Sequence, residues 1–171
     1  IRDRLRNDEI HGINVTVPFK NKVIKYLDKL SLEVETTNSV NTIYKSGSDI
    51  IGHNTDVAGF ELGLRHSKIN VIHKSVFILG AGGVVSSIIF SLLSMGCKKI
   101  YLTNRTIEKA ENIKDKFDEV EILKWGEIPN FDIVINATSV GLKGDSLDLV
   151  LNVKDKIFYD VIYNPKETQF L

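Results

Sequence analysis

The alternation of apolar and polar positions changes character near Ser75, and the signals ahead of that point are mixed. His11 to Thr16 reads as a strand, and Pro18 fits the first position of a following helix, where its missing N–H is harmless. Val23, Ile24, Leu27 and Leu30 recur at helical spacing and predict the buried face of that helix. Asn41 to Lys45 and Asp49 to His53 are extended runs separated by Ser46-Gly47-Ser48, a polar turn suited to a hairpin. They lead into a second helix over Val57 to His66.

Beyond Ser75 apolar strands alternate with helical patterns: Val76 to Leu79, Val84 to Met95, Ile100 to Thr103, then Ile107 to Phe117. Further strands are expected at Glu121 to Leu123, Ile133 to Asn136 and Ile157 to Val161. This alternation predicts an α/β fold whose second part is a doubly wound parallel sheet of Rossmann-like type, with right-handed crossovers. The polar stretch Arg65 to Lys74 lacks periodicity, which puts the boundary near it or inside the helix before it.

Charge and composition narrow the partners. The 22 Lys and Arg balance 22 Asp and Glu, so no charge excess draws nucleic acid or an anionic membrane, and any phosphate recognition must be local. No apolar run approaches the roughly 18 residues that span a bilayer. The opening residues Ile1 to Arg6 are charged, unlike a secretory signal, and a cytoplasmic location is expected. Cys97 has no second cysteine to pair with and reads as a small core residue in a reducing compartment. His11, His53, His66 and His73 lack metal-ligand spacing, so no metal is expected. A start at Ile1 and a stop at Leu171, just after a strand, suggest a fragment.

The chemistry begins with Gly80-Ala81-Gly82-Gly83, which follows an apolar strand and opens a helix. Glycines let the backbone approach a pyrophosphate, and the helix N-terminus offers free N–H groups and partial positive charge. The G-x-G-x-x-G pattern is incomplete, because Val85 stands at the third position. Taken alone, such a turn is often only a tight strand-to-helix connection. Asn104-Arg105-Thr106 lies at the end of the next strand, where an NAD-binding fold carries an acidic residue for the ribose. A guanidinium there pairs with a 2′-phosphate, which predicts NADP rather than NAD, and Lys109 supplies a second cation one turn on. The alternative is that both are solvated surface charges.

Lys20 is expected in the first turn of its helix, where the macrodipole opposes the charged amine, and Asp56 in the first turn of the next. An aspartate beside that lysine holds the amine in position and shares protons with a substrate hydroxyl. Apart, the two read as a surface lysine and an ordinary helix start. Together with the glycine turn they point to a dehydrogenase.

The chain resembles the shikimate dehydrogenase family from about Gly12 to Leu171. The likeness rests on Asn14-Val15-Thr16-Val17-Pro18-Phe19-Lys20, Ser39 to Thr42, Asn54-Thr55-Asp56, Gly80 to Gly83, Asn104 to Thr106 and Asn136 to Gly141. The resemblance implies reversible NADP-linked interconversion of shikimate and 3-dehydroshikimate, a step of chorismate and aromatic amino acid biosynthesis. By position it implies Lys20 as acid/base group and Asp56 as its partner. Thr16, Asn41 and Tyr163 would hold the small-molecule substrate. Gly80, Ala81, Gly82, Gly83, Asn104, Arg105, Thr106, Lys109, Thr138 and Ser139 would hold the cofactor.

On the same basis residues 1–56 are a substrate-binding and catalytic domain, N-terminally incomplete, and 57–171 the NADP-binding domain with its linking helix. A cleft between them is expected to hold the active site, and the sequence leaves a homodimer open. Nothing here corresponds to the family's early strand with paired serines or to its C-terminal helices with a glutamine. The isolated chain is therefore expected to bind NADP weakly and turn over shikimate poorly or not at all. Val84 and Val85 replace smaller family residues and lower the expected affinity. Two alternatives stand beside this reading: a quinate- or NAD-using paralogue, and a nucleotide-binding sensor without catalysis.

Overall fold

The computed structural model describes residues 1–171. Packing divides the chain into two units, Ile1–Lys68 with Ser86–Ser91, and Ile69–Val85 with Leu92–Leu171. The division falls inside the polar stretch Arg65 to Lys74, after the helix that precedes it.

In the first unit the elements run α1 (Arg2–Arg6), β1 (Gly12–Asn14), β2 (Lys29–Leu30), α2 (Leu32–Thr37), β3 (Thr42–Ser46), β4 (Asp49–His53) and α3 (Thr55–His66). The expected hairpin is β3–β4, antiparallel from Thr42 against His53 to Ser46 against Asp49, with Gly47 at φ +61° in its turn. The sheet order is β1-β3-β4-β2, in which β1 is antiparallel to β3 and β2 parallel to β4. Alternate residues of the hairpin, Ile43 and Ile50, join Leu5, Val34 and Val40 in the core.

The helix expected after Pro18 does not form. Residues 17–23 are turns, the Val17–Pro18 peptide is cis, and only a single 3₁₀ turn follows at Ile24–Tyr26. Val23, Ile24, Leu27 and Leu30 still pack against the core, so the apolar spacing reports burial correctly and conformation wrongly. Local bonds close only separate turns, such as Val23 N to Phe19 O at 3.2 Å, and others run across the segment: Lys20 O accepts from Val40 N at 2.9 Å, and Asp28 N donates to Ile50 O at 2.9 Å. Tertiary partners thus satisfy groups that a helix would pair locally. With no helix beginning at Pro18, Lys20 does not stand in a helical first turn as expected.

In the second unit β5 (Ser75–Leu79), β6 (Lys99–Thr103), β7 (Val120–Leu123), β8 (Ile133–Asn136) and β9 (Ile157–Asp160) form an all-parallel sheet in the order β7-β6-β5-β8-β9. Val76 to Leu79 and Ile133 to Ile135 are fully buried, as strands covered on both faces require. The helices are α4 (Val85–Ser94) and α5 (Ile107–Lys114). Strand order reverses at β5, and the C-terminal edge beside such a reversal is where doubly wound sheets hold ligands. The glycine turn leaves β5 at that edge. No helix of the structure is long and apolar enough to cross a membrane.

Candidate active site

Lys20 and Asp56 lie at the exits of two strands of one sheet, β1 and β4, with β3 between them. Lys20 Nζ donates to Asp56 Oδ2 at 2.6 Å, and the two side chains are 18% and 23% exposed. The pair is therefore held but open to a ligand. Asn41, expected to touch substrate, grips the aspartate: its Nδ2 donates to Asp56 Oδ1 at 2.8 Å and to Thr55 Oγ1 at 2.9 Å. Its Oδ1 accepts from Thr55 N at 2.9 Å. Both carboxylate oxygens are thus engaged, one by a cation and one by an amide. Thr16 is exposed on the same unit, and its carbonyl accepts from Phe19 N at 2.9 Å.

Sequence reasoning overlooked the residue beneath this pair. Asn54 is the N-cap of α3, and its Oδ1 accepts from Asp56 N at 3.0 Å. The Asn-Thr-Asp sequence signals a cap. It carries no sign that the amide is buried, because that burial comes from distant segments.

In the second unit the turn after β5 is bare backbone. Gly80 has φ +103°, and a Cβ on it would lie 2.8 Å from Ala137 O and 2.9 Å from Thr138 Cγ2, so only glycine fits. Gly80 N donates to Thr103 O at 2.8 Å and Ala81 N to Asn104 Oδ1 at 3.1 Å. The N–H groups of Gly82 and Gly83 have no acceptor within the protein. They are the donors this turn can offer an anion, while Gly80 and Ala81 shape it. Val85 is wholly buried. Asn104 also donates to Thr106 O at 2.7 Å, which ties the end of β6 to the glycine turn. Arg105 and Lys109 are exposed cations just beyond β6.

The loop after β8 hangs from Asn136, which is fully buried. Its Oδ1 accepts from Thr138 N at 3.1 Å and Thr138 Oγ1 at 2.7 Å. Its Nδ2 donates to both Asp160 carboxylate oxygens at 3.2 Å. Thr138 Oγ1 accepts in turn from Val140 N at 3.0 Å, so this hydroxyl serves the loop, whereas Ser139 is exposed. Tyr163 belongs to this second unit and is 90% exposed. The backbone cradle at Gly80, the free N–H groups and the nearby cations fit a phosphorylated dinucleotide.

The family model for shikimate / quinate 5-dehydrogenase matches residues 63–143, and that for the shikimate dehydrogenase substrate binding domain matches residues 1–43. The shikimate dehydrogenase (NADP(+)) of Pelagibacter ubique is 55% identical over 171 residues, covering 98% of this chain and 64% of its own length. The chain thus spans just under two thirds of that relative. Among solved structures, shikimate 5-dehydrogenase from Listeria monocytogenes in complex with shikimate and NAD has a TM-score of 0.89 at 30% identity, covering 99% of this chain and 65% of that one. Quinate dehydrogenase from Corynebacterium glutamicum in complex with NAD has a TM-score of 0.89 at 29% identity, with 99% and 65% covered. The chain belongs to the shikimate/quinate dehydrogenase family.

Proposed function

We propose that the protein carrying this chain is an NADP-dependent shikimate dehydrogenase that interconverts shikimate and 3-dehydroshikimate. The observation that carries the reading is the Lys20–Asp56 contact of 2.6 Å, partly exposed and braced on its far side by Asn41. Oxidation of a secondary alcohol must lose a proton from the hydroxyl as a hydride leaves the carbon. Lys20 Nζ takes that proton and returns it in the reverse direction. Asp56 holds the resulting ammonium in place, and Asn41 keeps the carboxylate turned toward it. Thr16, exposed on the same unit, orients a further polar group of the substrate by a hydrogen bond.

The dinucleotide supplies the hydride acceptor when bound. Gly82 and Gly83 offer N–H groups to its pyrophosphate, and Arg105 with Lys109 pairs with the 2′-phosphate that distinguishes NADP from NAD. Support for NADP also comes from the name of the Pelagibacter relative. The second reading, quinate in place of shikimate, draws on the likeness to the Corynebacterium enzyme.

The test is the initial rate of NADPH formation from shikimate by the protein containing this chain, beside parallel assays with quinate and with NAD⁺. The highest kcat/KM is expected with shikimate and NADP⁺. A preference for quinate would move the assignment to the second reading. Absence of turnover with either substrate while NADP⁺ binds would refute the catalytic one.

A further inference from the structure

A capping asparagine needs only its side-chain oxygen, which accepts from an early helical N–H, and its NH₂ group is ordinarily left to water. Asn54 differs. It is 1% exposed, and both its N–H bonds are spent on buried hydroxyls: Thr37 Oγ1 at 3.0 Å, at the end of α2, and Ser87 Oγ at 2.9 Å, in the part of α4 that packs in the first unit. Thr37 and Ser87 are 2% and 0% exposed. The Thr37 hydroxyl passes its own proton to Glu33 O, so it is oriented to receive. Together with the bond from Asp56 N to Oδ1, three contacts from separate segments fix the plane of the Asn54 amide.

That plane sets where the Asp56 backbone enters α3. From there a short side chain with two torsions must put one oxygen on Lys20 and the other on Asn41. We infer that Asn54 is a positioning residue for the acid/base pair. It touches neither Lys20 nor the Asp56 carboxylate, and acts by locking the aspartate's backbone to α2 and α4. The inference deepens the reading of Lys20 and Asp56 as the proton-handling pair and rests on it.

Asn54→Ser separates capping from positioning. Serine caps as well as asparagine, so α3 is retained, but a hydroxyl cannot reach both Thr37 and Ser87. A misplacement of about 1 Å costs on the order of 10²-fold in rate, so kcat is expected to fall roughly 10- to 100-fold with the NADP⁺ affinity unchanged. A second readout needs no turnover. The Lys20 ammonium ¹⁵N–¹H signal, protected in the parent by its bond to Asp56, should broaden or vanish. A folded Asn54→Ser protein with parental kcat and an intact ammonium signal would make Asn54 a helix cap only and overturn the inference. If that variant does not fold, Ser87→Ala decides. It removes one anchor and leaves the cap, and loss of kcat with a weakened ammonium signal supports positioning, while parental values of both overturn it. A parent inactive on shikimate would sink the functional reading alone, since the ammonium signal still reports on Asn54.

Discussion

Gly80→Ala offers a quantitative check on the glycine turn. The φ of +103° is a backbone region that a residue with a Cβ adopts only under strain, costing about 1–3 kcal/mol. The new Cβ would also stand 2.8 Å from Ala137 O and 2.9 Å from Ala137 C, and these are backbone atoms of β8's exit that cannot swing aside. Forcing an extra methyl into such a site adds about 1–3 kcal/mol. A total of about 2–6 kcal/mol, against a urea m-value of about 2 kcal/mol per M, lowers the unfolding midpoint by about 1–3 M. Trp125 is the single tryptophan and lies in the second unit, so its fluorescence follows the part of the molecule concerned. Gly82→Ala is the control. Its Cβ meets Ala137 O at 3.7 Å, an ordinary contact, and its φ is not positive, so its midpoint should stay near the parent's while NADP⁺ affinity falls. Equal midpoints for Gly80→Ala and the parent would refute the argument that close approach to Ala137 dictates glycine here.

Three other outcomes are expected. Gly59 sits within α3 with open space around its Cβ position, so Gly59→Ala should raise stability by about 0.5–1 kcal/mol, measured by thermal unfolding. Arg105→Ser should weaken NADP⁺ binding by about 1.5–3 kcal/mol, the range of a charged hydrogen bond, and leave NAD⁺ binding unchanged in calorimetric titrations. The Asp132 carboxyl is held below its ordinary range, chiefly by the Ser75 N–H at 2.8 Å, and the Lys74 ammonium adds to this. Because its folded value is depressed, it contributes stability above the unfolded value of about 4, and that contribution is lost as pH falls through the folded value. Asp132→Asn should therefore lower the Trp125 urea midpoint at pH 7, with the gap to the parent narrowing as pH drops below about 4.

The second unit was largely legible because its strands are buried on both faces and its helices lie between turns with glycine or polar residues. The expected Ile133 to Asn136 strand matches β8 as observed, and the Val84 to Met95 helix lies within one residue of α4 at each end. The first unit was less so. Spacing identified Val23, Ile24, Leu27 and Leu30 as buried, yet their helix lost to bonds with Val40 and Ile50, residues that no local pattern links to them. The two-residue strand β2 and the short helices α1 and α2 escaped notice because elements of that length carry too few periods to read.

At the site, Lys20 and Asp56 were recognisable singly from motifs at strand ends, and β3 is what brings the two strand exits onto one sheet. Asn41 acts on Asp56 directly, which a motif cannot announce. The anchoring of Asn54 by Thr37 and Ser87 joins residues 17 and 33 positions away, and only the packed chain reveals it.

The central claim is that Lys20 moves the proton of the reacting hydroxyl. Its most direct test is kcat for shikimate oxidation by Lys20→Met beside the parent, with NADP⁺ affinity measured on both. The account predicts a kcat lower by about 10²- to 10⁴-fold, the usual contribution of a positioned acid/base group, with cofactor binding unaltered. Parental kcat in Lys20→Met would contradict it.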